Sequence, residues 1–356
     1  MKIKTELLKE LVGKAINGAS NNKLIPITQL MGIKKTESTI MLTTTDATNY
    51  LYVKGEVEPV ENDMQVTVFA DQFAKLISKM TCKEITLEVL NGALQVIGNG
   101  DYTLELPLDE NGKFIQYPDP YAEVADINYT GTIKPSEISV ILDAVKPSLA
   151  STMEMPVITN YFVGESVMAT DRYKVASFNK QIVTEETLIS SQLMNLLSLT
   201  DKDIKYFIGF NHMIFENDDI TIYSKQSDDV SEYPVDVLEN LIQQDFKSVC
   251  KVSKNEFIAL LERIALFVGK YDDRAVRLYF EKNGIRVSNK NRKSNECIDY
   301  ADSKNYEAYD CTINVDMLLS QLKAYAGDMV ELHYNNDSSI KFVDGTITQI
   351  VALMTE

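Results

Sequence analysis

ITLEVLNGALQVI, residues 85–97, reads as two alternating apolar runs, Ile85–Leu90 and Ala93–Ile97, joined by Asn91-Gly92. Asn-Gly between such runs is the sequence signal for a two-residue type I′ hairpin. A second turn follows at Asn99-Gly100-Asp101. The same order returns in the middle third as Ile204–Phe210, Asn211, Met213–Phe215 and Asn217-Asp218-Asp219, and in the last third as Val330–Tyr334, Asn335-Asn336, Ile340–Val343 and Asp344-Gly345. The first turns lie 120 and then 124 residues apart, and the second turns 118 and then 127. Both markers keep one period, which is the signature of an internal repeat.

Helical patterns extend the repeat in the N-terminal direction. Ala70–Met80, Thr187–Leu199 and Asn314–Ala326 precede the hairpins, with apolar stripes such as Phe73, Leu76, Ile77 and Leu318, Leu319, Leu322. A second set, Lys4–Ile16, Lys134–Leu149 and Ser253–Leu266, opens each copy. In the first of these Leu7, Leu8, Leu11, Val12, Ala15 and Ile16 fill one side, so one face is buried and the other solvated. Between the two helices lie strand-like runs: Ile40–Thr45 and Tyr50–Val57; Tyr161–Ala169 and Lys174–Phe178; Val276–Phe280 and Ile285–Val287. The expected fold class is therefore α+β, three repeated domains with two helices packed on antiparallel sheet in each. Boundaries near Asp119–Asp126 and Gln243–Val249 give domains 1–121, 122–246 and 247–356.

Composition narrows the class. The chain of 356 residues is 45% hydrophobic and has no apolar run near the roughly 20 residues needed to cross a bilayer. Charges at Lys4, Glu6, Lys9, Glu10 and Lys14 interrupt any signal-peptide core, so a cytoplasmic location is expected. Cys82, Cys250, Cys297 and Cys311 show neither metal-ligand spacing nor disulfide density and read as free thiols. With His212 at a turn and His333 in a strand as the only imidazoles, no zinc site and no cofactor are expected. The formal net charge of −17 argues against a polyanion at long range. The six helical segments nevertheless sum to +2, leaving −19 elsewhere, so the helices form the less repulsive face.

The segment Met168-Ala169-Thr170-Asp171-Arg172-Tyr173-Lys174-Val175-Ala176, the strand Arg274-Ala275-Val276-Arg277-Leu278-Tyr279, Glu232-Tyr233-Pro234, and the ending Ile350-Val351-Ala352-Leu353-Met354 add specific content. Together with the triple repeat, they make the whole chain resemble a divergent member of the bacterial sliding clamp family, the β subunits of DNA polymerase III. The resemblance implies a head-to-tail homodimer: a closed ring of six domains with twelve helices lining a hole. At about 9 Å spacing those helices leave a hole roughly 25 Å clear, wide enough for duplex DNA. Such a ring holds DNA by topology, with sparse cations meeting phosphate without reading sequence. Lys9, Lys14, Lys75, Lys79, Lys134, Lys146, Lys254, Arg263 and Lys323 are the expected DNA-facing residues.

For ring closure the resemblance implies that Tyr102 and Leu104 of one chain meet Phe267 and Val268 of the other. It also implies a hydrophobic pocket for short linear motifs of polymerases and the clamp loader. Carried over residue by residue, that pocket is Ile158, Thr170, Arg172, Tyr173, Lys174, Val175, Pro234, Leu238, Ser339, Ile350, Val351, Ala352, Leu353 and Met354. This copy departs from the family pattern at Arg172, where a small residue is usual, and at Leu238, where a basic one is common. Its tail, Leu353-Met354-Thr355-Glu356, lacks the customary proline and arginine. Two other classes compete. Asp46 and Asp171, at matching positions of two copies, could pair as catalytic carboxylates. Their expected separation in different domains, and the habit of Asp of bonding turn amides, argue for a non-enzyme. A repeat-built scaffold that binds proteins without encircling DNA also fits the acidic total.

Overall fold

A computed structural model describes residues 1–59, 63–124, 127–152, 154–209, 211–225, 230–269, 273–325 and 327–355. Asp126, Phe210, Ala326 and Glu356, which end segments read from the sequence, lie outside the described residues.

The three copies follow one order. The first runs β1 (Lys2–Lys4), α1 (Thr5–Ala15), β2 (Leu30–Thr36), β3 (Thr39–Thr45), β4 (Asn49–Glu56), β5 (Met64–Phe69), α2 (Ala70–Lys79), β6 (Glu84–Leu90), β7 (Ala93–Ile97) and β8 (Asp101–Glu105). The second is β9 (Gly131–Ile133), α3 (Pro135–Val145), β10 (Asn160–Val163), β11 (Val167–Thr170), β12 (Lys174–Phe178), β13 (Thr187–Ser190), α4 (Ser191–Leu197), β14 (Ile204–Ile208), β15 (His212–Glu216) and β16 (Ile220–Lys225). After α5 (Val235–Gln243) the third has β17 (Ser248–Ser253), α6 (Lys254–Ala265), β18 (Ala275–Phe280), β19 (Gly284–Asn289), β20 (Asn295–Asp299), β21 (Asp302–Lys304), β22 (Tyr309–Asn314), α7 (Val315–Leu322), β23 (Met329–Tyr334), β24 (Ser339–Asp344) and β25 (Ile347–Ala352).

The opening hairpin has the geometry its sequence asks for: Leu90 pairs with Ala93, and Asn91 and Gly92 take φ of 52° and 77°. Helix starts and stops are also local. Asn314 accepts from the amides of Asp316 and Met317 and so caps α7, while Pro147 lies just past the end of α3, where a proline cannot continue the helix.

Four segments differ from the sequence reading, the shortest being His212, expected at a turn but opening strand β15 opposite Lys225. Thr187–Leu199 is not one helix, because Thr187–Ser190 pairs with β10 as strand β13 and the helix begins at Ser191. Tyr161–Ala169 is two strands, turned at Gly164 through its amide bond to the Ser166 carbonyl. Helix α5 was unforeseen, although Val235, Leu238, Leu241 and Ile242 carry helical spacing.

Each copy contributes two half-sheets rather than one. In the first copy these are β5-β2-β3-β4 and β1-β6-β7-β8. The chain forms two compact units, Met1–Ser136 with Gln192–Ser227, and Glu137–Ser191 with Asp228–Glu356. In the first unit β4 pairs with β16, making the eight-stranded order β5-β2-β3-β4-β16-β15-β14-β9. In the second, β12 pairs with β25, giving β13-β10-β11-β12-β25-β24-β23-β17-β21. The middle copy is thus shared between the units, since each of its half-sheets is finished by a different neighbour.

Helices α1 and α2 pack together in the first unit and α6 and α7 in the second. Leu8, Leu11, Val12, Phe73 and Ile77 are buried in one pair, and Phe257, Leu260, Leu261, Leu318 and Leu322 in the other. The segment leaving the first copy is fastened by Glu216, which accepts from Tyr121 Oη at 3.2 Å, from Tyr129, from Thr221 Oγ1 at 3.1 Å and from Lys54 Nζ at 3.1 Å. Burial pushes this carboxyl's pKa up, but those donors outweigh it and hold the group below its usual range.

Candidate functional site

The second unit holds a contiguous apolar cluster of Ala150, Val157, Ile158, Phe162, Met168, Val175, Leu188, Tyr233, Leu238 and Ile350. Its floor is the row Leu188–Phe162–Met168, in register across β13, β10 and β11. Tyr233 lies over that row, with its ring 5.7 Å from that of Phe162 and its hydroxyl donating to the Met168 carbonyl at 3.4 Å. Burial pushes the Tyr233 phenol up, so the ring is neutral across the ordinary pH range. Val230, Val235, Leu241 and Ile242 flank it as partly buried residues.

Four of the expected pocket residues, Ile158, Val175, Leu238 and Ile350, belong to this cluster. Beside it opens a cavity of about 240 Å³ that takes in Ile158, Arg172 and Tyr173 with Leu149, Ala150 and Met155. Tyr173 is 56% exposed at its mouth. Val175 faces Ile350, and Lys174 faces Val351, across the β12–β25 pairing.

Other expected residues have structural duties. The Thr170 hydroxyl donates to the Lys174 carbonyl at 2.8 Å and accepts the Arg172 amide at 3.1 Å, closing the turn. Asp171 accepts the amides of Tyr173 and Lys174, and the Lys174 ammonium bonds Asp171 and the Pro147 carbonyl. Arg172, at φ 79°, ion-pairs with Glu154 at 2.7 Å. Ser339 is buried opposite Ala352, and Leu353 and Met354 are half-buried, with the Met354 amide bonded to the Thr312 carbonyl. Pro234 directly precedes α5.

Sequence reasoning missed Phe162, Met168, Leu188 and Tyr233. Each is apolar on a strand or beside a proline, and only the cross-strand register brings the first three into one row. Asp46 likewise accepts the amides of Thr48 and Asn49, so neither acid of the suggested carboxylate pair is free of a turn.

The nine expected DNA-facing cations sit on or beside the helices, but several are neutralised where they stand. Lys14 pairs with Glu10, Lys75 with Asp71, Lys323 with Glu262 and Arg263 with Glu296, while Lys254 donates to the Tyr325 carbonyl. Lys9, Lys79, Lys134 and Lys146 have no ion-pair partner among the described residues. Of the four expected interface residues, Tyr102 and Phe267 are 37% and 60% exposed, whereas Leu104 and Val268 are buried. Leu266 beside Phe267 is the more exposed residue and was not foreseen. Arg274 donates to the carbonyls of Ala265 and Val268 and so fastens the end of α6 that presents this apolar pair.

No family model matches the sequence, and no curated protein matches it. Solved structures match along the full length. A DNA polymerase sliding clamp from Bacillus subtilis superposes with a TM-score of 0.86 at 18% identity, covering 100% of this chain and 98% of that one. The sliding clamp from Pseudomonas aeruginosa gives 0.85 at 17% identity, and the DNA polymerase III beta subunit from Thermotoga maritima 0.85 at 17%, each covering 100% of this chain and 99% of the other. The chain has the three-repeat sliding-clamp fold.

Proposed function

We propose that this chain is a DNA polymerase processivity factor: a head-to-tail homodimer that encircles duplex DNA without sequence specificity and tethers polymerases and the clamp loader through the apolar pocket. It acts as a non-enzyme in the cytoplasm, built from domains 1–121, 122–246 and 247–356.

One observation carries the reading. The repeat has three equivalent sheet junctions, and two are made within the chain, β4 with β16 and β12 with β25. The third would join β20 to β8, and both of these strands end their four-stranded sheets. Within one chain that leaves two complementary edges, and a second copy supplies the partner for each. Pairing them would complete two more eight-stranded sheets and cover edges that otherwise invite aggregation. Continuing the register of the other junctions sets Tyr102 opposite Ser294. The edges are also complementary in charge, with Asp101 and Glu105 on β8 and Lys293 at the turn before β20. Tyr102, Leu266 and Phe267 supply apolar surface to the junction.

On this reading Lys9, Lys79, Lys134 and Lys146 make the principal phosphate contacts, because no ion pair neutralises them among the described residues. Topology rather than adhesion holds the ring, which is why an acidic chain can serve a polyanion. The apolar cluster around Phe162 and Leu238 takes the hydrophobic side chains of a linear motif, as small apolar grooves with a few polar groups do.

Light scattering should give twice the 40.1 kDa chain mass at micromolar concentration. Loaded on nicked circular DNA by a clamp loader and ATP, the protein should survive moderately high salt and be released when the circle is cut. A strictly monomeric protein, or retention that salt removes from circles and linear DNA alike, would overturn the proposal.

A further inference from the structure

The row that floors the apolar pocket exists in all three copies. It is Thr67–Gly32–Thr43 in the first, Leu188–Phe162–Met168 in the second and Thr312–Arg277–Ser288 in the third, each two residues before the strand gives way to a helix. In the first two copies the chain lays a Tyr-Pro pair over the row. Tyr117 comes so close to Gly32 that a Cβ there would lie 2.8 Å from it, and the space left is only about 40 Å³. Tyr233 covers Phe162 in the second. In the third copy the described residues of the tail that line the corresponding space are Met354 and Thr355 rather than a Tyr-Pro pair. A cavity of about 360 Å³ stands there, within the size range of ligand pockets (about 300–1,000 Å³).

Its chemistry is inverted relative to the apolar pocket. Arg277, Ser288, Lys290, Arg292, Thr312 and Met354 line it. Ser288 is 1% exposed, and its Oγ has no hydrogen-bond partner among the described residues. A buried hydroxyl of this kind is ordinarily satisfied, and this one stands without a partner among the described residues in the cavity wall. Arg277 is held by Asp310 at 2.5 and 2.8 Å, whereas Lys290 and Arg292 pair with no carboxylate among the described residues. Asp273 is the one carboxylate in the described wall.

We infer that this cavity is a second docking site, and that it takes a short acidic segment of a partner protein, an aromatic residue followed by a carboxylate. The first copy's own strap, Tyr117-Pro118-Asp119, is the pattern for that occupant. Carboxylate pairs strongly with guanidinium, and a backbone or carboxylate group could meet the Ser288 hydroxyl. In the second copy the equivalent turn borders its pocket while β12 pairs with β25, so pairing at the β20 edge leaves this cavity open. The inference does not require that the ring encircle DNA.

The test is fluorescence anisotropy of the full chain with a fluorescein-labelled peptide, Gln-Tyr-Pro-Asp-Glu-Glu, and its amide control, Gln-Tyr-Pro-Asn-Gln-Gln. The acidic peptide is expected to bind saturably and at least tenfold more tightly than the control. Lys290→Ala with Arg292→Ala, at two exposed turn positions, should weaken it tenfold or more, and Ser288→Ala several-fold. Leu238→Ala, in the apolar pocket, should leave it unchanged. Light scattering on the same samples separates a lost site from a lost dimer junction. Equal binding of the two peptides, binding that survives the double variant, or acidic-peptide binding weakened by Leu238→Ala overturns the assignment. So does a 12-base-pair duplex that binds with the same dependence on Lys290 and Arg292 while the peptide does not.

Discussion

The pocket of the second copy and the cavity of the third stand on the same three strand positions, yet one is floored by Leu188, Phe162 and Met168 and the other by Thr312, Arg277 and Ser288. The frame, two flanking strands and a turn with a positive-φ arginine, is common to both: Arg172 at 79° and Arg292 at 52°. What differs is the cover. Tyr233 and α5 close the apolar row, whereas Met354 and Thr355 are the described tail residues that line the third copy's cavity. A repeat therefore fixes where a site stands, while single substitutions on the row and the chain that crosses it fix what the site accepts.

The sharpest way to break this comparison is to graft one row onto the other. Phe162→Arg with Met168→Ser gives the second copy the third's chemistry without Asp310. The variant is expected to lose at least about 3 kcal/mol in denaturant unfolding, because it buries a charge with no partner. Its affinity for a hydrophobic linear-motif peptide should fall more than tenfold. A variant that melts like the parent and still binds would mean that the row does not decide the chemistry.

Tyr233→Ala removes the cover alone. A buried aromatic truncated to alanine typically costs about 3 kcal/mol or more, here including the contact with Phe162. The same variant should bind small apolar probes at the vacated position. Failure to destabilise would sever the link between strap and pocket.

The smallest effect expected is a pH dependence confined to the third copy. Arg274 bonds Asp316 at 2.8 Å through two nitrogens, and that hydrogen bonding holds the Asp316 carboxyl below its usual range. A depressed folded pKa adds stability that is present above the unfolded value, near 3.9, and is lost as pH falls through the folded one. Parent and Asp316→Asn should therefore differ by a constant amount above about pH 5, under about 1 kcal/mol because the pair is partly exposed, and converge toward pH 3. A difference that grows on acidification would contradict the sign.

The repeat was legible because its markers are local. Asn91-Gly92 demands positive φ, and the stripe Leu8, Leu11, Val12, Ala15 demands a buried helix face wherever the chain goes. The misreadings have the same root. Thr187–Ser190 is apolar enough for either state, and pairing with β10 decided for strand. Tyr161–Ala169 hides its turn at Gly164 within an apolar run. Ile350, expected through the resemblance, lies in the apolar cluster, whereas Phe162, Met168 and Leu188 of the same cluster were not expected there.

By itself the sequence determined the number of copies, the order of helix and strand within each, and the acidic total held away from the helices, since all of these follow from periodicity and turn chemistry within a short window. Only the tertiary structure decided which half-sheets join, which lysines are already neutralised, and that one row carries an apolar pocket and another a cationic cavity. Those outcomes depend on cross-strand register and on which distant segment lies across a face, and neither is written in the spacing of neighbours along the chain.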